Sequence, residues 1–381
     1  MRILDILRRI KKSLSNYSPS VEILISKTNL LHNLKEFNRL HPHLLVAPVL
    51  KSNAYGHGLI EVAQILDKED KAFFVVDSLH EAMLLRNKDI KSPLLIIGYV
   101  SAQNISRCRL SGIAFTITSL EQLLDLASII KRPIKIHVKI DTGMHRQGIL
   151  PNQLDELINV VKDNKSLNLE GICSHFADPD NTDQTFTNSQ LDRWDKAVSM
   201  FENSFSAIKY VHILATPGIR YSNKALGNMV RLGIGLYGIN PPITVSTNLK
   251  PVLQMQSIIS SVKVIPSGDC VGYDTTFKTT RETIIATIPV GYFEGVDRRL
   301  SNHGMVKISD KFCPIIGKVS MNIISVDISS IPTVKIGDKV VIISHNSGDL
   351  NSVVNIAKLT QTIPLEILVH IPQHLRRTIV K

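Results

Sequence analysis

The chain has 381 residues, 44% hydrophobic and 20% charged, which is long enough for two domains and excludes bulk disorder. No run approaches the roughly 18 apolar residues of a membrane-spanning helix, so no transmembrane segment is expected. The net charge is +11, but residues 1–12 hold five bases against one acid and residues 373–381 three bases and no acid, so two short ends supply seven of the eleven charges.

The body of the chain is therefore nearly balanced. With aromatic residues at 5% and no aromatic interleaving of the bases, nucleic acid is not an expected partner. Residues 1–20 form a basic extension. In it Ile3, Leu4, Ile6, Leu7, Ile10 and Leu14 fall near helical spacing opposite Arg8, Arg9, Lys11 and Lys12, predicting a short amphipathic helix that docks on its own protein. Charges interrupt this stretch too often for a signal-peptide core. Cys108, Cys173, Cys270 and Cys313 are 65, 97 and 43 residues apart, which fits neither a metal site nor a disulfide framework and suggests a reducing cytoplasm.

From 21 to 245, eight runs rich in Val, Ile and Leu alternate with amphipathic segments such as LIEVAQILDK and LDELINVVKDN. The runs are LLVAPVL (44–50), AFFVVD (72–77), LLIIGYV (94–100), IAFTIT (113–118), IKIHVKI (134–140), NLEGICS (168–174), YVHILA (210–215) and VRLGIGLYG (230–238). Eight strand-helix units predict an α/β domain of the (β/α)8 TIM-like barrel type. An open doubly wound sheet is the alternative, but no Gly-rich dinucleotide turn follows the early strands. Prolines and small polar residues in NPPITVSTNLKP (240–251) mark a linker. Beyond it, residues 246–381 alternate as strands separated by PSGD, KIGD and NSGD turns, predicting an all-β C-terminal domain in which only LNSVVNIAKLT reads clearly as helix.

Barrel enzymes place their chemistry after the C-terminal ends of the strands. The first run ends in Lys51, followed by the polar, glycine-containing loop SNAYGHG. A lysine there either snorkels from a strand end or supplies a Schiff-base amine, with Tyr55 available to a phosphate.

At this point VLKSNAYGHG resembles the cofactor-attachment segment of the alanine racemase family. KIDTGMHRQG (139–148), HFADPD (175–180), RLGIGLYG (231–238), GDCVGYDTTF (268–277), PVGYFEG (289–295) and GKVSMN (317–322) resemble its further motifs in the family's order. The resemblance spans roughly residues 21–381. It implies a pyridoxal 5'-phosphate-dependent isomerase that interconverts L- and D-alanine, supplies D-alanine for peptidoglycan, and works as a homodimer with shared sites.

By the same resemblance, Lys51 would carry the cofactor and act as one base, and Tyr273 as the other. Racemisation needs two, because one removes the α-proton and the other returns a proton from the far side. An ordinary tyrosine is a poor base at neutral pH unless charge or hydrogen bonds stabilise its phenolate, and His175 and Arg231 are the implied relay toward it. Arg231 would face the pyridine nitrogen, making the ring a weaker electron sink and limiting transamination. Tyr55, Thr216, Gly233 and Ile234 would hold the phosphate. Arg146 and the Met321 N–H would hold the substrate carboxylate, Lys139 is the family's carbamylated lysine, and Tyr292 would narrow the entrance toward a small substrate.

Three positions depart from the family pattern: Ala215 where asparagine is usual, Leu365 in place of a tyrosine, and Asn322 in place of the commoner aspartate. They suggest weaker phosphate binding and one charge fewer at the substrate mouth, with activity retained. A racemase of another amino acid, or a non-catalytic cofactor-binding relative, would share many of these residues. A decarboxylase would not need the opposed Lys51 and Tyr273.

Overall fold

The computed structural model describes residues 18–240 and 248–381. The helix expected near the N-terminus and residues 241–247 of the linker lie outside the described residues. Two compact units emerge: Ser26–Val252 with Ile379–Lys381, and Leu253–Thr378 with the segment ending at Ile25.

In the first unit the eight apolar runs become parallel strands. Phe74–Val76, Leu94–Ile96, Ile113–Ile117, Ile134–Lys139, Leu167–Cys173 and Tyr210–His212 pair in that order, while Met229–Leu232 lies between Leu45–Pro48 and Leu214–Ala215. A parallel bridge from Val49 to Val75 and the chain's continuity through Ile213 join the two groups into a barrel. The helices start where serines can cap them. Ser78 caps Leu79–Asn87 in a reciprocal box with Glu81, and Ser119 accepts from the Gln122 N–H at the head of Leu120–Ile129.

The barrel interior changes character along its axis. One layer is apolar, built from Ala47, Val49, Phe73, Val75, Leu95, Ala114, Tyr210 and Met229. On three of these strands the residue two positions further along the same face is polar: Thr116 follows Ala114, His212 follows Tyr210 and Arg231 follows Met229, and all three are buried, with Thr116 in register with a buried His137. Burying such groups is tolerable only if they bond to one another.

The second unit is built on a largely antiparallel nine-stranded sheet, with strands ordered Ser261–Ile265, Thr283–Ile288, Ile324–Asp327, Lys311–Ile316, Met305–Ile308, Lys339–Ile343, Leu253–Ile258, Glu22–Ser26 and Arg376–Val380. Two details differ from the sequence expectation. Glu22–Ser26, read with the barrel, pairs antiparallel with Leu253–Ile258, because its alternating Ile23 and Ile25 need a half-buried sheet face. TIPLEIL contributes a second short helix, Pro364–Val369, whose proline sits at the first turn where no N–H is needed. Among the described residues no helix is long and apolar enough to cross a membrane.

Candidate active site

Lys51 follows the first barrel strand and opens a turn whose next four residues, Ser52 to Tyr55, all have positive φ between 52° and 56°. Left-handed backbone costs about 1–2 kcal/mol per non-glycine residue, so the turn is strained and must be held. Its fastenings are visible. The Ser52 N–H donates to Glu81 Oε1 at 2.7 Å, the Leu59 N–H to Asn53 Oδ1 at 2.9 Å, and the Ala54 N–H to the Leu50 carbonyl at 2.8 Å. Lys51 Nζ lies 4.0 Å from Asp77 Oδ1, and 36% of its side chain is accessible.

Tyr55 leaves this turn with its ring 5.1 Å from that of Tyr237, whose hydroxyl donates to the Val49 carbonyl. Burial pushes the Tyr55 hydroxyl up to about 12, against the opposing pull of Arg231, so it remains a donor. A Cβ added to Gly233 would stand 2.9 Å from the Tyr55 Oη and 3.9 Å from the Thr216 Oγ1. Thr216 is buried, and its hydroxyl oxygen accepts from the Gly233 N–H at 3.0 Å and, more weakly, from the Gly235 N–H. Ile234 opens the 3-10 turn Ile234–Tyr237, where N–H groups lack helical partners. A hydroxyl donor, a glycine that keeps the space open and first-turn amides fit a phosphate.

Arg231 is only 7% exposed. Its guanidinium donates to the carbonyls of Ser174 (2.7 Å), His212 (2.9 Å) and Ile213 (3.2 Å), to His175 Nδ1 (3.2 Å) and to His212 Nδ1. A guanidinium has no acceptor, so both Nδ1 atoms must carry lone pairs. His212 then holds its proton on Nε2, 2.9 Å from His137 Nδ1, which leaves the His137 proton on Nε2, 3.6 Å from Glu170 Oε2. Glu170 also accepts from Lys135 at 2.6 Å. Burial alone would raise the Glu170 carboxyl, but its contacts with His137 and Lys135 outweigh that and hold it at about 2.

The sequence reading missed this chain of polar groups. Inward-facing histidines at the centres of IKIHVKI and YVHILA were its available signal.

Arg146 is exposed, and Asp141 lies 3.3 Å from His145 Nδ1. Lys139 lies 3.4 Å from Gln147 Oε1; burial is the main cause lowering its amine, opposed by Cys173 and assisted by Arg231 and Arg146.

Tyr273, Tyr292 and Met321 belong to the C-terminal unit and are 67%, 44% and 55% exposed. Tyr273 begins a turn in which Asp274 and Thr275 have positive φ. That turn is held by the Asp274–Lys318 ion pair and by close packing of Gly317, whose added Cβ would meet the Val271 carbonyl oxygen at 2.5 Å. Tyr292 and Met321 sit on adjoining loops, where the Tyr292 N–H donates to the Ser320 carbonyl at 3.1 Å and the Phe293 N–H to the Met321 carbonyl at 2.9 Å. Leu365 is half-buried in Pro364–Val369 and offers no polar atom.

A parallel barrel with a lysine after its first strand, continued in the chain by a β-rich unit, is an architecture that amino-acid racemases share. The family models for the N-terminal and C-terminal domains of alanine racemase match residues 25–241 and 252–379. The alanine racemase of Carboxydothermus hydrogenoformans is 33% identical over 359 residues, 93% of this chain and 97% of that protein. That of Lactobacillus acidophilus is 34% identical over 87% of this chain and 90% of its own. The solved alanine racemase of Clostridium difficile 630 superposes with a TM-score of 0.89 at 29% identity, covering 96% of this chain and 97% of that one. The chain belongs to the alanine racemase family.

Proposed function

We propose that this protein interconverts L-alanine and D-alanine with pyridoxal 5'-phosphate bound at Lys51. The observation that carries this reading is the strained Lys51–Tyr55 turn, which combines a strand-end lysine with the Tyr55, Thr216 and Gly233 cradle. Family membership and a solved relative from Bacillus anthracis, described with bound L-Ala-P and 25% identical with a TM-score of 0.88, support an amino-acid substrate.

The bound cofactor supplies an electron-accepting ring for the charge left when the α-proton departs. Lys51 Nζ takes or returns that proton on one face of the substrate carbon, and Tyr273 Oη serves the other face, the roles exchanging with the enantiomer. Arg231 would face the ring nitrogen, and as a permanent cation it would not protonate it. Tyr55, Thr216 and the Ile234 amide would bind the phosphate, with Gly233 keeping the space for it open. His175 and Arg231 connect toward Tyr273, Arg146 and the Met321 N–H bind the substrate carboxylate, and Tyr292 restricts its size. Lys139 is proposed to be carbamylated beside Arg146, since a lowered amine has more of the neutral form that adds carbon dioxide.

The exposed Tyr273, Tyr292, Phe293, Met321 and Ile323 support a homodimer in which this face completes the partner's site. Four unpaired cysteines support a cytoplasmic location, and D-alanine for peptidoglycan is the proposed use. The test is to titrate the purified protein with pyridoxal 5'-phosphate, follow bound-cofactor absorbance, and assay both alanine enantiomers. Binding with interconversion in both directions supports the reading; binding without interconversion overturns it.

A further inference from the structure

The loops bearing Tyr292 and Met321, already joined by the backbone bonds from Tyr292 to Ser320 and from Phe293 to Met321, share one side-chain tie through a carboxylate. Glu294 is 9% exposed, and each of its oxygens accepts one hydrogen bond: Oε2 from the Gly291 N–H at 2.8 Å and Oε1 from Asn322 Nδ2 at 2.7 Å. The first bond closes the turn that presents Tyr292. The second crosses to the residue after Met321. Gly291 packs so tightly against the other loop that an added Cβ would meet the Ser320 and Met321 carbonyl oxygens at 2.2 and 2.4 Å. Neither side chain has a role in the proposed proton transfers.

We propose that Glu294 and Asn322 are a matched acceptor–donor pair that positions Tyr292 and the Met321 N–H for the substrate. This rests on the reading of Met321 and Tyr292 as substrate-facing residues. The chemistry of the pair is directional. A carboxylate is acceptor-only, so its partner at position 322 must donate, and asparagine does. An aspartate at 322 would set two carboxylates at hydrogen-bond distance, where both cannot stay ionised without moving apart. The departure of Asn322 from the usual aspartate is thus matched by what Glu294 demands.

The same logic supplies a rescue. In Asn322→Asp the loops lose this side-chain tie and keep only the two backbone bonds. In Glu294→Gln the new amide can satisfy Gly291 or Asn322 with its one oxygen, but not both, and its nitrogen faces a donor. In the double variant Asn322→Asp/Glu294→Gln, the glutamine oxygen accepts from Gly291 as before while its nitrogen donates to Asp at 322, so both bonds return and the one to position 322 has donor and acceptor exchanged.

The experiment is a kinetic cycle on the holoenzyme, with spectra of 13C-methyl methionine. Each single variant should raise KM for alanine about tenfold while kcat stays within about threefold, and should shift the Met321 methyl signal; the double variant should bring both within about twofold of wild type. Loss of folded protein alone would lower apparent kcat and leave KM unchanged. Unchanged KM and methyl shift in Asn322→Asp, or a double variant as impaired as the singles, overturns the pairing. If the wild type does not interconvert alanine, the functional reading fails, and the methyl shifts still decide whether Glu294 and Asn322 hold Met321.

Discussion

His175 accepts from Arg231 across 3.2 Å, and this contact settles the state of its ring. The guanidinium can only donate, so the His175 Nδ1 facing it is unprotonated. Burial, followed by the charges of Arg231, Lys139, Arg146 and Lys51, lowers the imidazole from 6.5 to about 3. The ring is neutral wherever the enzyme works, and any proton it passes travels through Nε2.

That depressed value has a consequence for stability. Between pH 6.5 and about 3 the unfolded chain binds a proton at His175 that the folded chain refuses, so stability is fully present above 6.5 and is lost as the pH falls. The slope from this one ring approaches about 1.4 kcal/mol per pH unit. Urea unfolding of wild type and His175→Gln at pH 7, 6 and 5 should give a shallower decline in the variant by about that amount. Parallel declines contradict the assignment.

Removing the Tyr55 hydroxyl tests the phosphate cradle. A charge-assisted hydrogen bond contributes about 1.5–3 kcal/mol, so Tyr55→Phe should weaken pyridoxal-phosphate binding about 10- to 100-fold. The ring keeps its packing on Tyr237, so thermal stability of the cofactor-free protein should change little. Gly233→Ala should weaken binding comparably, because its methyl would reach the Tyr55 Oη. Unchanged cofactor affinity in both would remove the cradle from the site.

Tyr273→Phe separates binding from proton return. Tyr273 is exposed and belongs to the C-terminal unit, whereas the proposed cofactor cradle is built from barrel residues, so cofactor affinity should be retained. Racemisation should fall about 100-fold or more, within the range of positioned acid-base groups. Near-normal turnover would assign the second base elsewhere.

The paired rings inside the barrel make a spectroscopic prediction. In 15N spectra of histidine-labelled protein, His212 and His137 should both be neutral with the proton on Nε2. Arg231→Met removes the donor that sets this order and should scramble the His212 tautomer. A wild-type spectrum with the His212 proton on Nδ1 would contradict the Arg231 contact.

Dilution tests the shared site. If the proposed homodimer completes each site, activity per milligram should fall as the protein is diluted into monomers and recover on concentration. Constant specific activity through a measured dissociation midpoint would show that one chain suffices.

Much of the fold was legible because the barrel strands are short, apolar and rich in β-branched residues, and the intervening helices keep a 3.6-residue period. Glu22–Ser26 was not legible, since its partner Leu253–Ile258 lies more than 220 residues away and no local signal announces the pairing. The short helix at 364–369 was hidden by a proline that reads as a breaker yet suits a first turn. Lys51 and Tyr55 stood out as candidates by their place after the first barrel strand, and Arg231 only through motif resemblance. Glu170, His137, His212 and Glu294 were not, because their importance lies in which atom faces which, and a tautomer or a donor–acceptor match has no one-dimensional trace.

The proposed attachment of the cofactor to Lys51 can be read directly. Reduce the pyridoxal-phosphate-loaded protein with borohydride, digest it, and locate the cofactor-modified lysine by peptide mass. The expected label falls on the peptide containing Lys51 and disappears in Lys51→Ala together with racemisation. A label on another lysine, or none in a racemising wild type, would contradict the assignment of Lys51.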